Sequence, residues 1–197
     1  MKKIIYIIPG FLENAKQEKY KEITKFFKKN GFTVIPANIT WKYKIMNDYI
    51  DEFNSQYNKH DKNDEIYLFG FSFGAMISFF VSGDVKPKAQ FLCSLSPYFK
   101  EDIPHIREWW KKYKGLKRIS NFKILSFNNF SKMIKCKTFI FAGTKEGPEI
   151  ERRARLANKQ IKNSELFMID GGKHDISQDI YTDKIKKIIS KNFNCKI

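Results

Sequence analysis

Short apolar runs alternate with longer amphipathic stretches along this chain. That alternation constrains its fold more than any other feature, because strands buried on both faces belong to a parallel sheet covered by helices. The strand-like runs are Lys3 to Ile8, Phe32 to Pro36, Glu65 to Phe69, Gln90 to Ser94, Thr138 to Ala142 and Glu165 to Ile169. Between the first two, Lys16 to Lys29 carries Tyr20, Ile23, Phe26 and Phe27 at helical spacing and stops at Asn30-Gly31, a helix-end signal. Further helices are expected over Asp48 to Tyr57, directly after Ser72, over Glu149 to Lys162 and over Asp179 to Asn192. With right-handed crossovers this predicts an α/β fold, a doubly wound, mostly parallel sheet of about six strands.

One stretch breaks the rhythm. From about 97 to 135 no β-like run occurs, although Trp109, Trp110, Tyr113, Phe122, Phe127 and Phe130 lie within it. The segment is too long for a simple loop. It predicts short helices around Pro104 to Tyr113 and Ser131 to Ile134, inserted between the fourth and fifth strands. No repeat or linker divides the 197 residues, so one domain carrying an insertion is expected.

Composition narrows the function classes. The formal net charge is +16, which invites a nucleic-acid or anionic-membrane partner. The lysines are scattered, however, and no zinc-finger spacing, RNP-type motif or basic zipper accompanies them. The run from Ile4 to Leu12 is too short to span a bilayer; Lys2 and Lys3 imitate a signal-peptide start, but Glu13, Asn14 and Lys16 follow at once, so a buried strand is expected. Cys93, Cys136 and Cys195 are odd in number and widely spaced, arguing against a disulfide framework or a metal site and for a reducing cytoplasm.

The apolar run Ile66 to Phe69 leads into Gly70-Phe71-Ser72-Phe73-Gly74, then into the helix-like Ala75 to Phe80. A G-x-S-x-G between strand and helix has a mechanical reason: the serine sits in a sharp turn whose neighbours approach too closely for side chains. The same pattern would also suit a helix-start turn with a capping serine. A serine hydroxyl is a weak nucleophile and needs a base in reach. His60 lies in a polar turn ahead of the third strand, at the wrong end of the sheet, and His105 lies in the insertion. His174, in Gly171-Gly172-Lys173-His174-Asp175, follows the last strand and shares the carboxyl edge with Ser72. The amide of Phe73, directly after Ser72, is a candidate donor to an oxyanion.

On these residues the chain resembles the small, cofactor-independent bacterial serine hydrolases of the α/β-hydrolase superfamily, over essentially its whole length. The resemblance implies a triad in the order serine, acid, histidine. Its acid falls in the loop Gly143 to Glu149, at Glu146, with Glu149 and Asp170 as alternatives. It implies a second oxyanion donor in Pro9-Gly10-Phe11-Leu12, at Phe11 or else Leu12. The insertion takes the place of a substrate cap, in which Trp109, Trp110, Phe122 and Phe127 are candidates for an apolar acyl site. Arg107, Lys111, Lys112, Lys117 and Arg118 are candidates to attract an anionic group. Ordinary packing and solvated lysines would explain the same residues.

No phosphate-binding loop, dinucleotide fingerprint or paired zinc spacing occurs, so no cofactor or metal is expected. The expected function is a serine hydrolase acting on a small-molecule ester or thioester. A non-catalytic binding protein on the same fold is the alternative, and a basic nucleic-acid or membrane binder the more distant one.

Overall fold

The computed structural model describes residues 2–57 and 63–197, without the side chains of 113 and 114; His60 lies outside the described residues. Six parallel strands form one sheet in the order β2-β1-β3-β4-β5-β6. They are β1 (Lys3–Ile8), β2 (Phe32–Pro36), β3 (Glu65–Phe71), β4 (Ala89–Cys93), β5 (Lys137–Gly143) and β6 (Ser164–Ile169). The long helices are α1 (Lys21–Lys29), α2 (Met46–Tyr57), α3 (Phe73–Val85), α7 (Pro148–Gln160) and α8 (Asp179–Phe193), and the segment between β4 and β5 adds α4 (Glu108–Lys114), α5 (Leu116–Phe122) and α6 (Phe127–Ser131).

Period-two alternation divides the core. Ile4, Tyr6 and Ile8 point into one apolar layer with α2, α3 and the inserted helices, whereas Ile5 and Ile7 point into the other with α1 and α8. Helix α3 is buried almost all round because the sheet lies on one side and the inserted helices on the other. From β1 the chain first moves outward to β2, then returns to β3 on β1's other side. The loops after β1 and β3 therefore diverge, and a crevice opens between them at the strands' carboxyl ends.

The differences from expectation have local causes. Asn14 Oδ1 accepts from the Lys16 amide at 2.8 Å, an Asx turn that holds this stretch out of a helix. A 3-10 turn at Glu18–Tyr20 follows, and α1 starts only at Lys21. The expected Pro104 to Tyr113 helix is split by extended backbone at Ile106 and Arg107 into a 3-10 turn and α4. The helix expected at Ser131 to Ile134 ends at Ser131 instead: Ser126 caps it, and the Glu101 carboxylate accepts from the amides of Phe127 and Asn128.

Candidate active site

Three loops at the carboxyl edge meet over β3. The elbow is the first. Ser72 has φ 57° and ψ −115°, a conformation that the flanking glycines make room for. A Cβ on Gly70 would come 2.3 Å from the Gly74 carbonyl oxygen, and one on Gly74 would come 2.0 Å from that of Ile8. Ser72 makes no side-chain cap bond to α3, so its hydroxyl is not consumed as a helix cap. Its Oγ lies 3.0 Å from Nε2 of His174 and 3.1 Å from Oγ of Ser96.

The second loop follows β5 and carries Glu146; the third follows β6 and carries His174. They are joined through backbone: the Lys145 amide donates to the Gly172 carbonyl at 2.8 Å. A Cβ on Gly143 would come 2.2 Å from that same oxygen, so this contact requires glycine. His174 Nδ1 lies 2.8 Å from Oε2 of Glu146, whose side chain is fully buried. The other oxygen, Oε1, accepts from the Gly143 amide at 2.6 Å, Ser94 Oγ at 3.0 Å and Tyr181 Oη at 3.2 Å. Burial, then the Glu146 charge, push the Tyr181 phenol well above its ordinary pKa, so at neutral pH Tyr181 is a donor. With Nδ1–H donating to Glu146, Nε2 is the acceptor facing the Ser72 hydroxyl.

The loop after β1 closes the other side. The Gly10 amide donates to Tyr20 Oη at 2.9 Å and to Glu13 Oε2 at 3.1 Å, Tyr20 donates in turn to Glu13, and Trp41 Nε1 donates to the Glu13 carbonyl at 2.7 Å. Phe11 is thereby set against Phe73, ring centroids 5.0 Å apart. Together the loops line a cavity of about 400 Å³ that contains Phe11, Ser72, Phe73, Glu146 and His174. Tyr98, Ile106 and Trp110 form part of its apolar wall, and Arg107 pairs with Glu149 at 3.1 Å within its lining.

Not every candidate is brought here. Trp109 is 58% exposed and lies against Trp110, ring centroids 5.1 Å apart and planes tilted by 45°. Phe122 and Phe127 are buried in the core, against Tyr98 and Phe79. Glu149 faces Arg107 instead of His174, and Asp170 accepts from Thr144. His105 is exposed on the inserted segment. Lys111 pairs with Glu108, while Lys117 and Arg118 line a separate groove. Conversely, Ser94, Ser96, Tyr181, Glu13 and Tyr20 were not among the site candidates read from the sequence. The available signal was serines just beyond an apolar strand neighbouring the elbow strand.

Among the described residues, no group of His, Cys, Asp or Glu side chains is arranged to hold a metal ion, and no helix is long and apolar enough to cross a membrane. No protein-family model and no curated protein sequence matches the chain. Solved structures do match. Est1E from Butyrivibrio proteoclasticus superposes with a TM-score of 0.82 at 15% identity, over 98% of this chain and 87% of that one. Its ferulic-acid-bound form gives a TM-score of 0.80 at 14% identity, over 97% and 88%. MGS-MChE2, an α/β-hydrolase enzyme from a sediment metagenome of the Mar Chica lagoon, Morocco, gives 0.74 at 15% identity, over 98% and 91%. The chain has the α/β-hydrolase fold.

Proposed function

We propose that this protein is a serine hydrolase that cleaves a carboxylic ester or thioester through an acyl-enzyme on Ser72. The observation that carries the reading is the unbroken contact chain from Ser72 Oγ through His174 to the buried Glu146 carboxylate, set in the wall of a cavity. His174 Nε2 takes the hydroxyl proton as Oγ attacks the carbonyl carbon, and Glu146 holds the imidazole in the tautomer this requires. The amides of Phe73 and Phe11 receive the oxyanion. His174 returns its proton to the departing alcohol or thiol, then takes one from the water that frees the acid.

Ester cleavage is the first choice, with thioesters close behind, since the same groups serve both. Ferulic acid bound to Est1E, together with Phe11, Phe73, Tyr98 and Trp110 around this cavity, makes aromatic acyl groups a sensible first series. The whole chain is read as one unit, with 97–135 as its cap. Its three free cysteines support a cytoplasmic setting.

A fluorophosphonate probe tests the reading. Peptide mass analysis should place the adduct on Ser72, and Ser72→Ala should remove both the label and turnover of a 4-nitrophenyl ester. His174→Ala should slow turnover by about a thousandfold or more. Labelling at another residue, or full turnover by Ser72→Ala, would overturn it.

A further inference from the structure

Across Phe11 and Leu12 from the cavity lies a second concavity, of about 650 Å³, that the reaction above leaves unused. It is bounded by the loop after β1, the segment before α2 and the start of α5. Three of the chain's most exposed large apolar side chains gather there: Leu12 at 62%, Tyr43 at 81% and Leu116 at 87%. Leu12 and Tyr43 also adopt left-handed backbone, φ 64° and 61°, a conformation that costs free energy for such side chains.

The charge in this groove has one sign. Its lining includes Lys42, Lys44, Lys117 and Arg118 and no carboxylate. Two of these cations build the wall: Lys44 pairs with Glu52, and Arg118 donates to the carbonyls of Lys44 and Trp41 with its guanidinium over the Phe11 ring. Lys42 and Lys117 are exposed, and among the described residues neither pairs with a carboxylate.

We propose that this groove is a subsite for an anionic amphiphile: the part of the substrate outside the Ser72 cavity carries an apolar segment ending in a phosphate or carboxylate. An apolar segment would cover Leu12, Tyr43 and Leu116, and the terminal anion would meet Lys42 and Lys117. Lys42 Nζ lies over the Tyr43 ring, 5.1 Å from its centroid, so a neutral chain would leave both ammoniums without an anionic partner, and a bare anion would leave the apolar trio in water. The groove is concave and shares Phe11 and Leu12 with the cavity, which favours one molecule lying across both sites over a lipid surface resting on top. The assignment rests on Ser72 being the reacting residue.

The test is calorimetric titration of the protein with monomeric dodecyl phosphate, with dodecanoate, inorganic phosphate and phosphatidylglycerol vesicles as comparisons. One molecule of dodecyl phosphate or dodecanoate should bind per chain, at least about tenfold tighter than inorganic phosphate, and more weakly as salt is raised. The tighter of the two headgroups identifies the anion. Lys42→Gln with Lys117→Gln should weaken binding about tenfold while the melting temperature stays at the parent value. Equal binding of inorganic phosphate, undiminished binding by the double variant, or binding to vesicles without binding to monomers would overturn the proposal. Amphiphile binding of the expected kind in a protein that cleaves no ester would refute the hydrolase reading and leave the groove standing as a binding site.

Discussion

In the proposed triad the Glu146 carboxylate is the member that depends most on single atoms. It is fully buried beside His174, and its far oxygen has three donors, Gly143, Ser94 and Tyr181. A buried carboxylate without such donors would be costly. An amide keeps only one acceptor: with its oxygen held by those three donors its NH2 faces Nδ1 and forces the opposite imidazole tautomer, so Glu146→Gln should cut kcat by about a thousandfold or more. Glu149→Gln breaks only a partly exposed pair with Arg107 and should cost severalfold at most. Ser94→Ala removes one donor of three and should lower kcat by about tenfold with KM little changed. Steady-state kinetics on the three variants checks the order; comparable losses at Glu146 and Glu149 would contradict it. Ser72 and His174 were legible because a motif and a strand end locate them. Ser94 and Tyr181 were not, because they reach Glu146 from 52 and 35 positions away in sequence.

At the level of elements, the elbow is first of all a packing problem. Helix α3 crosses β1 so closely that a Cβ on Gly74 meets the carbonyl oxygens of Ile8 and Pro9, both backbone atoms that cannot turn aside. On Gly10 the nearest contact is instead the end of the Glu13 side chain, at 2.8 Å. Gly74→Ala should therefore destabilise the fold by about 3 kcal/mol, whereas Gly10→Ala should cost clearly less. Chemical denaturation of both compares them directly, and equal midpoints would contradict the close approach. The six strands could be read from sequence because burial on both faces imprints itself on consecutive residues. The inserted helices were harder. Their ends are fixed by distant groups such as Glu101, and the segment's position over α7 is tied by Asp102, which is buried against Arg153 and also bonded to Arg152. Neither tie leaves a periodic trace.

For the molecule as a whole, the groups buried in neutral form set an alkaline limit on stability. Burial raises the Cys93 thiol well above its ordinary 9.0 and the Tyr20 and Tyr181 phenols well above 10.0, with carboxylate charge reinforcing each. Cys136 is pushed up to about 11 and Tyr6 to about 12, both mainly by burial. Each raised acid keeps its proton in the folded state when the unfolded chain has lost it, so the unfolded state binds fewer protons at high pH. The contribution to stability is then complete below the unfolded pKa values and declines as pH rises through the window from about 9 toward the raised folded values. Lysine deprotonation near the top of that window relieves repulsion from the +16 charge and acts in the opposite direction. The two effects separate by mutation. The melting temperature should fall steadily from pH 9 to 11, and Cys93→Ala or Tyr181→Phe should lose part of that slope even where the variant is less stable at pH 7. A flat profile in the parent would mean that lysine relief dominates, and slopes identical in all three proteins would mean that these buried acids do not govern the alkaline limit.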